Sequence, residues 1–123
     1  LKAHFPQQPT QDFTISFANK LFGIEEVAVA DTTKLSNYLE AIFNLQAEKI
    51  LTPEEATKYD SLLVAEPFLQ IEIQDIATKT FALKIYSSPG KNSRLVARTK
   101  EEAILLPPQA AAVMRKREYF VLN

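Results

Sequence analysis

Leu69-Gln70-Ile71-Glu72-Ile73-Gln74, a connection over residues 75–79, and Phe81-Ala82-Leu83-Lys84-Ile85-Tyr86 decide the reading of this chain. Leu69, Ile71 and Ile73 alternate with Gln70, Glu72 and Gln74. That is the period of two of a half-buried strand, whose successive side chains point to opposite faces. Phe81, Leu83 and Ile85 likewise face one way, and Ala82, Lys84 and Tyr86 the other. Ser87-Ser88-Pro89-Gly90 with Asn92 then breaks the chain, and a long hairpin results.

Upstream, Pro67 disfavours helical geometry at Glu66 and so closes whatever helix precedes it. That helix opens at Thr52-Pro53-Glu54-Glu55, where a capping hydroxyl, a proline at the first helical position and a glutamate three after the cap coincide. A longer helix, about residues 31 to 48, follows from Asp31 as N-cap and an apolar stripe of Leu35, Tyr38, Leu39, Ile42 and Phe43 at three- and four-residue steps. Before it, Phe13, Ile15 and Phe17 alternate with Thr14 and Ser16 as a strand, and Leu21 to Val29 returns as its hairpin partner. Residues 1–11, with Pro6, Pro9 and no hydrophobic period, read as a flexible lead-in. Downstream, Arg94 to Thr99 and Ala103 to Leu106 are strands, the second stopped by Pro107 and Pro108, and Gln109 to Lys116 is a short C-terminal helix.

Like elements group together instead of alternating, which favours an α+β fold with an antiparallel sheet. The expectation is a single domain over residues 12–123: about five or six strands, two main helices packed on one face and the short C-terminal helix. Hydrophobic residues at 46% and charged residues at 24% are ordinary for a globular chain. The longest apolar runs fall far short of the roughly 20 residues of a membrane-spanning helix. Leu1 is not a methionine and no signal-like segment follows it, which points to a cut precursor or an expressed fragment.

Composition excludes much chemistry. Without cysteine there is no disulfide, thiolate zinc site or cysteine nucleophile. With Gly23 and Gly90 the only glycines, neither a GxGxxG nor a Walker-type loop can be written, so both are read as structural, at a bulge or close approach and at a turn. His4 is the only histidine and lies in the lead-in, where nothing in the sequence fixes its tautomer or sets a carboxylate beside it. The adjacent pairs Glu25/Glu26, Glu54/Glu55 and Glu101/Glu102 diverge on a strand or a helix and do not converge by themselves. No catalytic residue, cofactor or metal site is expected, and an enzyme is not the expected class.

Charge is uneven. Residues 1–78 carry 5 basic against 12 acidic side chains, and residues 79–123 carry 9 against 3. Two halves of one fold that attract each other account for this, as does an anion-binding surface. The candidate interaction surface is Lys84, Arg94, Arg98 and Lys100 with Arg115 and Arg117, the last two beside Tyr119-Phe120. Basic groups next to aromatics suit phosphates and stacked bases. The pI of about 5.9, far from the basic range typical of nucleic-acid domains, makes nucleic acid an unfavoured partner.

The order of features resembles a known family. Asp31-Thr32-Thr33-Lys34-Leu35-Ser36-Asn37-Tyr38-Leu39 follows a phenylalanine-bearing hairpin, Tyr59-Asp60-Ser61-Leu62 leads to Pro67, and the strands end in Arg94-Leu95-Val96-Ala97-Arg98. Together these resemble the bacterial envelope-associated family catalogued as domain of unknown function 4340, over most of residues 12–123. Leu63-Val64-Ala65-Glu66 stands where that family usually has Gly-Leu before the proline. The resemblance implies a non-catalytic extracytoplasmic module, often tethered by an N-terminal membrane segment, and carries no assigned functional residues. The expected role is therefore protein interaction or self-association in the cell envelope, with Arg94 to Thr99 as an exposed edge strand for docking. The alternative is a cytoplasmic or envelope module that binds nucleic acid or acidic lipid through its basic C-terminal third.

Overall fold

The computed structural model describes residues 1–18, 21–59, 63, 65–74, 79–86, 95–99 and 102–122. Among them, eight strands form one antiparallel sheet: β1 (Lys2–His4), β2 (Phe13–Ala18), β3 (Leu21–Ile24), β4 (Lys49–Ile50), β5 (Leu69–Gln74), β6 (Thr80–Tyr86), β7 (Leu95–Arg98) and β8 (Ala103–Leu106). The order across the sheet is β3-β2-β1-β5-β6-β7-β8-β4. Two helices, α1 (Thr32–Phe43) and the single turn α2 (Pro53–Ala56), accompany it.

The antiparallel α+β character therefore stands, while the strand number and helix packing differ from expectation. Two of the additional strands are short. β4 has two residues, and β1 has three with only Ala3 apolar, so neither shows a period. β1 is made by its neighbours: Ala3 lies opposite Phe13 on one side and Ile71 on the other, which satisfies its backbone from both flanks. The segment expected as a flexible lead-in thus supplies an interior strand, and Phe5 just after it is buried.

Partners directly opposite in a ladder share a face, so the registers define both faces of the sheet. Phe13, Ala3, Ile71 and Leu83 form one row, and Leu69, Ile85, Ala97 and Ile104 a second row on the same face. α1 covers this face with Leu35, Tyr38, Leu39 and Ile42. Its N-cap is Asp31, whose Oδ1 accepts from the Thr33 and Lys34 N–H groups at 3.1 Å. Phe43, which the stripe included, is 72% exposed. It lies at the edge of the arc centred on Leu35 and Ile42.

The second helix does not share that face. Val96 and Leu105 alternate with Ala97 and Ile104 and so point the other way. There they form a small separate core with Leu51, packed by Ala56, Tyr59 and Leu63. The capping box at Thr52 is present, with Thr52 Oγ1 accepting from the Glu55 N–H, but α2 gives way after one turn to a 3-10 turn, Thr57–Tyr59. The expected C-terminal helix is also 3-10, Pro108–Val113, followed by a second such turn, Arg117–Phe120. Phe120 is fully buried against Phe13 and Tyr38, with ring centroids 4.9 and 5.2 Å away. Val121 then bridges to Ala30.

These placements make the first residues indispensable. Phe5→Ala should cost roughly 3–5 kcal/mol, the usual range for emptying a buried phenylalanine site, read as a lower urea midpoint. A dispensable lead-in would leave that midpoint unchanged.

Candidate functional site

The feature of the sheet that offers most to a partner is a notch. β6 has seven residues and β7 four. Only Lys84, Ile85 and Tyr86 meet β7, opposite Arg98, Ala97 and Val96, whereas β5 pairs with β6 from Thr80 to Ile85. Among the described residues, nothing pairs with Thr80–Leu83 on the β7 side.

The direction of the free backbone groups follows from the ladder. The Thr99 N–H donates to the Glu102 carbonyl at 2.9 Å, so Thr99 is turned toward β8. By alternation Arg98 is turned toward β6, its partner Lys84 toward β7, and Ala82, two residues before, toward the same side. Ala82 is exposed, and its N–H and C=O face the side of β7, where no partner stands among the described residues.

A hollow of about 1100 Å³ occupies this place. Ile42 and Leu45 at the end of α1 line it with Ile73, Phe81 and Leu83 on the core-facing side of the hairpin. Phe81 is 57% exposed. On the opposite face the lining includes Lys84 and Arg98, and Glu102 also borders the hollow.

The six basic residues expected to form one surface divide. Lys84 and Arg98 are brought together as direct cross-strand partners, both exposed. Like charges so placed repel, and among the described residues neither is joined to a carboxylate. Their row continues through Gln70 to His4 across four strands. Arg115 and Arg117 are engaged elsewhere. Arg117 Nε donates to the Asp12 carbonyl at 2.6 Å, and Arg115 stacks over the Tyr119 ring at 4.5 Å, with Lys34 also over it at 5.0 Å. Arg117 and Lys34 fasten the C-terminal turn to the rest of the fold, and Arg115 packs within it. Arg94 and Lys100 lie outside the described residues.

Three further expectations change. β7 is an interior strand, with Val96 and Ala97 fully buried, so it is not a docking edge. His4 does have a carboxylate beside it: Asp12 Oδ2 is 2.6 Å from His4 Nδ1, while Asp12 Oδ1 accepts from the Phe5 N–H at 2.7 Å. The β1–β2 pairing makes this clasp, which the sequence conceals because the turn type is not legible. Gly23 is not a close approach, since a methyl group there would meet nothing within 4 Å. Gly90 lies outside the described residues, as does Glu101 of the third carboxylate pair. Among the described residues no three acids or histidines gather in a manner suited to a metal ion.

Sequence reasoning selected Lys84 and Arg98 but missed Ala82, Phe81, Leu83 and Ile73, which give the slot its edge and its apolar wall. Compared with protein-family models, with curated proteins and with solved structures, the chain matches none.

Tyr38 lies outside this site, yet its hydroxyl is the buried side-chain polar atom without a hydrogen-bond partner among the described residues. Burial pushes the phenol well above its ordinary value near 10. The folded state keeps this proton where the unfolded chain releases it, so Tyr38 should lower folding stability progressively as pH rises above about 10. Tyr38→Phe should match or exceed the wild-type stability, by up to about 1–2 kcal/mol, and lessen the alkaline decline. A loss of stability in a urea titration would show that the hydroxyl has a partner.

Proposed function

We propose that this domain is a non-catalytic interaction module that engages a protein partner by adding an extended segment of that partner to the free edge of β6. The observation that carries the reading is the hollow of about 1100 Å³ beside Thr80–Ala82, where β6 has no β7 partner among the described residues and Phe81, Leu83 and Ile73 form an apolar wall. Backbone pairing along such an edge supplies affinity, and the alternate side-chain positions supply specificity. The resemblance to the envelope-associated family supports a workplace in the cell envelope, outside the cytoplasm. A second reading, binding of nucleic acid or acidic lipid, is favoured by the opposed Lys84 and Arg98. It requires association with single-stranded nucleic acid or anionic vesicles that weakens steeply with salt.

Phe81 and Phe17 are both exposed, but at different places: Phe17 stacks on Phe22 at the β2–β3 end of the sheet, 4.8 Å between centroids. A photo-crosslinking phenylalanine analogue at Phe81 or Ala82, in cells making the full-length protein, should yield one shared adduct. The same analogue at Phe17 should not yield it. Adducts from Phe17 alone, or none from either slot position, would refute this docking mode.

A further inference from the structure

We infer that, independently of the hollow beside β6, this domain pairs with a second copy of itself through β3, the two β3 strands running antiparallel with Phe22 opposite Phe22. The sheet ends on β3 at one side and on β4 at the other, and the two edges differ. β4 has only two residues, and its Lys49 is joined to Glu55. β3 is Leu21-Phe22-Gly23-Ile24, with no charged residue and no proline, the side chains that keep sheet edges from pairing. Among the described residues nothing pairs with its outer side. Outside them, residues 19–20 join β2 to β3 themselves, and the nearest other link in the sheet, 75–78, joins β5 to β6. A link of that length that has to return reaches about 9 Å from its anchors, whereas β3 lies three strands, about 14 Å, from β5.

Hydrogen bonds inside the sheet fix which backbone groups of β3 point outward. The Ile15 N–H donates to the Leu1 carbonyl at 2.8 Å, and the Ile15 carbonyl accepts from the Leu1 amino group at 3.0 Å. Ile15 is thus turned toward β1, and its partner Ile24 is turned away from β2. The Glu25 N–H, donating to the Thr14 carbonyl at 3.0 Å, points inward as the alternation requires. Phe22, two residues before Ile24, therefore points its N–H and C=O outward. The Ile24 carbonyl already accepts from the Val27 N–H at 3.2 Å, so the open part of the edge is centred on Phe22. A two-fold axis there lets the two Phe22 residues exchange both of their backbone bonds. Phe17 faces Phe22 across the hairpin, 4.8 Å between ring centroids, with 62% and 48% of the two residues exposed. The pairing extends them into a row of four rings over four strands and removes these rings from water. On the other face Leu21 comes opposite Gly23 of the copy, where an added methyl group would meet nothing within 4 Å. Lys20 precedes β3 and Glu25 follows it, so an antiparallel copy brings opposite charges together at both ends, and a parallel one would oppose like charges.

Sedimentation velocity of the full chain over a concentration series tests this. A monomer–dimer equilibrium is expected. Phe22→Lys sets two cations against each other on the axis and should weaken the dimer at least about tenfold. Ile50→Lys, at the 58% exposed position on the β4 edge, should leave it unchanged. The chain has no cysteine, so Phe22→Cys reads the register directly. Opposed residues of a hydrogen-bonded antiparallel pair stand about 5.5 Å apart at Cα, within reach of a disulfide. Mild oxidation should link that variant into a dimer, and Ile50→Cys at the same concentration should stay largely unlinked. A chain that remains monomeric at about 1 mM, enough to populate even a millimolar dimer, overturns the inference. So does a dimer indifferent to Phe22→Lys, or linkage as efficient through Ile50→Cys as through Phe22→Cys. None of these outcomes bears on adducts from Phe81, which decide the interaction at β6 separately.

Discussion

Everything in this fold depends on β1 lying between β2 and β5. On one side stand β2 and β3, contributed by residues 13–24, and on the other the block of β5, β6, β7, β8 and β4. Without the strand at Lys2–His4, the first hairpin would have no hydrogen-bonded route into the sheet, and the row from Phe13 to Leu83 would be split at Ala3. Ala3 is buried in the core between Phe13 and Ile71. Phe5 follows at once to fill the space beside Phe68, ring edge to ring face at 5.8 Å. A strand with one apolar side chain holds through its backbone, and the burial around it makes that pairing dry.

The core then closes at a second seam. Phe13 from β2, Tyr38 from α1 and Phe120 from the last 3-10 turn meet pairwise within 4.9–5.6 Å, each pair tilted or edge-on, the arrangements aromatic quadrupoles prefer. Arg117 binding the Asp12 carbonyl and Arg115 stacking on Tyr119 hold that turn in place. Arg117 thus ties the C-terminal turn to the backbone near the start of the chain, and Arg115 stacks within that turn. Lys84 and Arg98 stand apart from them as a cross-strand pair.

Strong local periods carried the correct parts of the sequence reading. Residues 69–74 and 81–86 alternate over six positions each, and the caps at Asp31 and Thr52 are short-range chemistry that the folded chain retains. β1 was invisible because two neighbours, not its own residues, make it a strand. Register, strand order and the side on which a helix packs are long-range properties, so neither the interior position of β7 nor α2 on the far face could be read locally. Phe17, Phe43 and Phe81 are exposed for a related reason: periodicity says which way a side chain points, not whether another element lies over it. Of the candidate site, the cations were legible from composition, and the free edge was not, because it arises from a mismatch between two strands.

The placement of β1 also sets a schedule for folding. Its partner β5 comes some 67 residues later in the chain, and the last aromatic of the core, Phe120, later still. Contacts so distant in sequence close large loops before they give any stabilisation, which slows the search. On a ribosome, Lys2–His4 must stay unpaired on one flank until Leu69–Gln74 has emerged. A chaperone that shields the β2–β3 hairpin during that interval would act on the most exposed intermediate this topology creates.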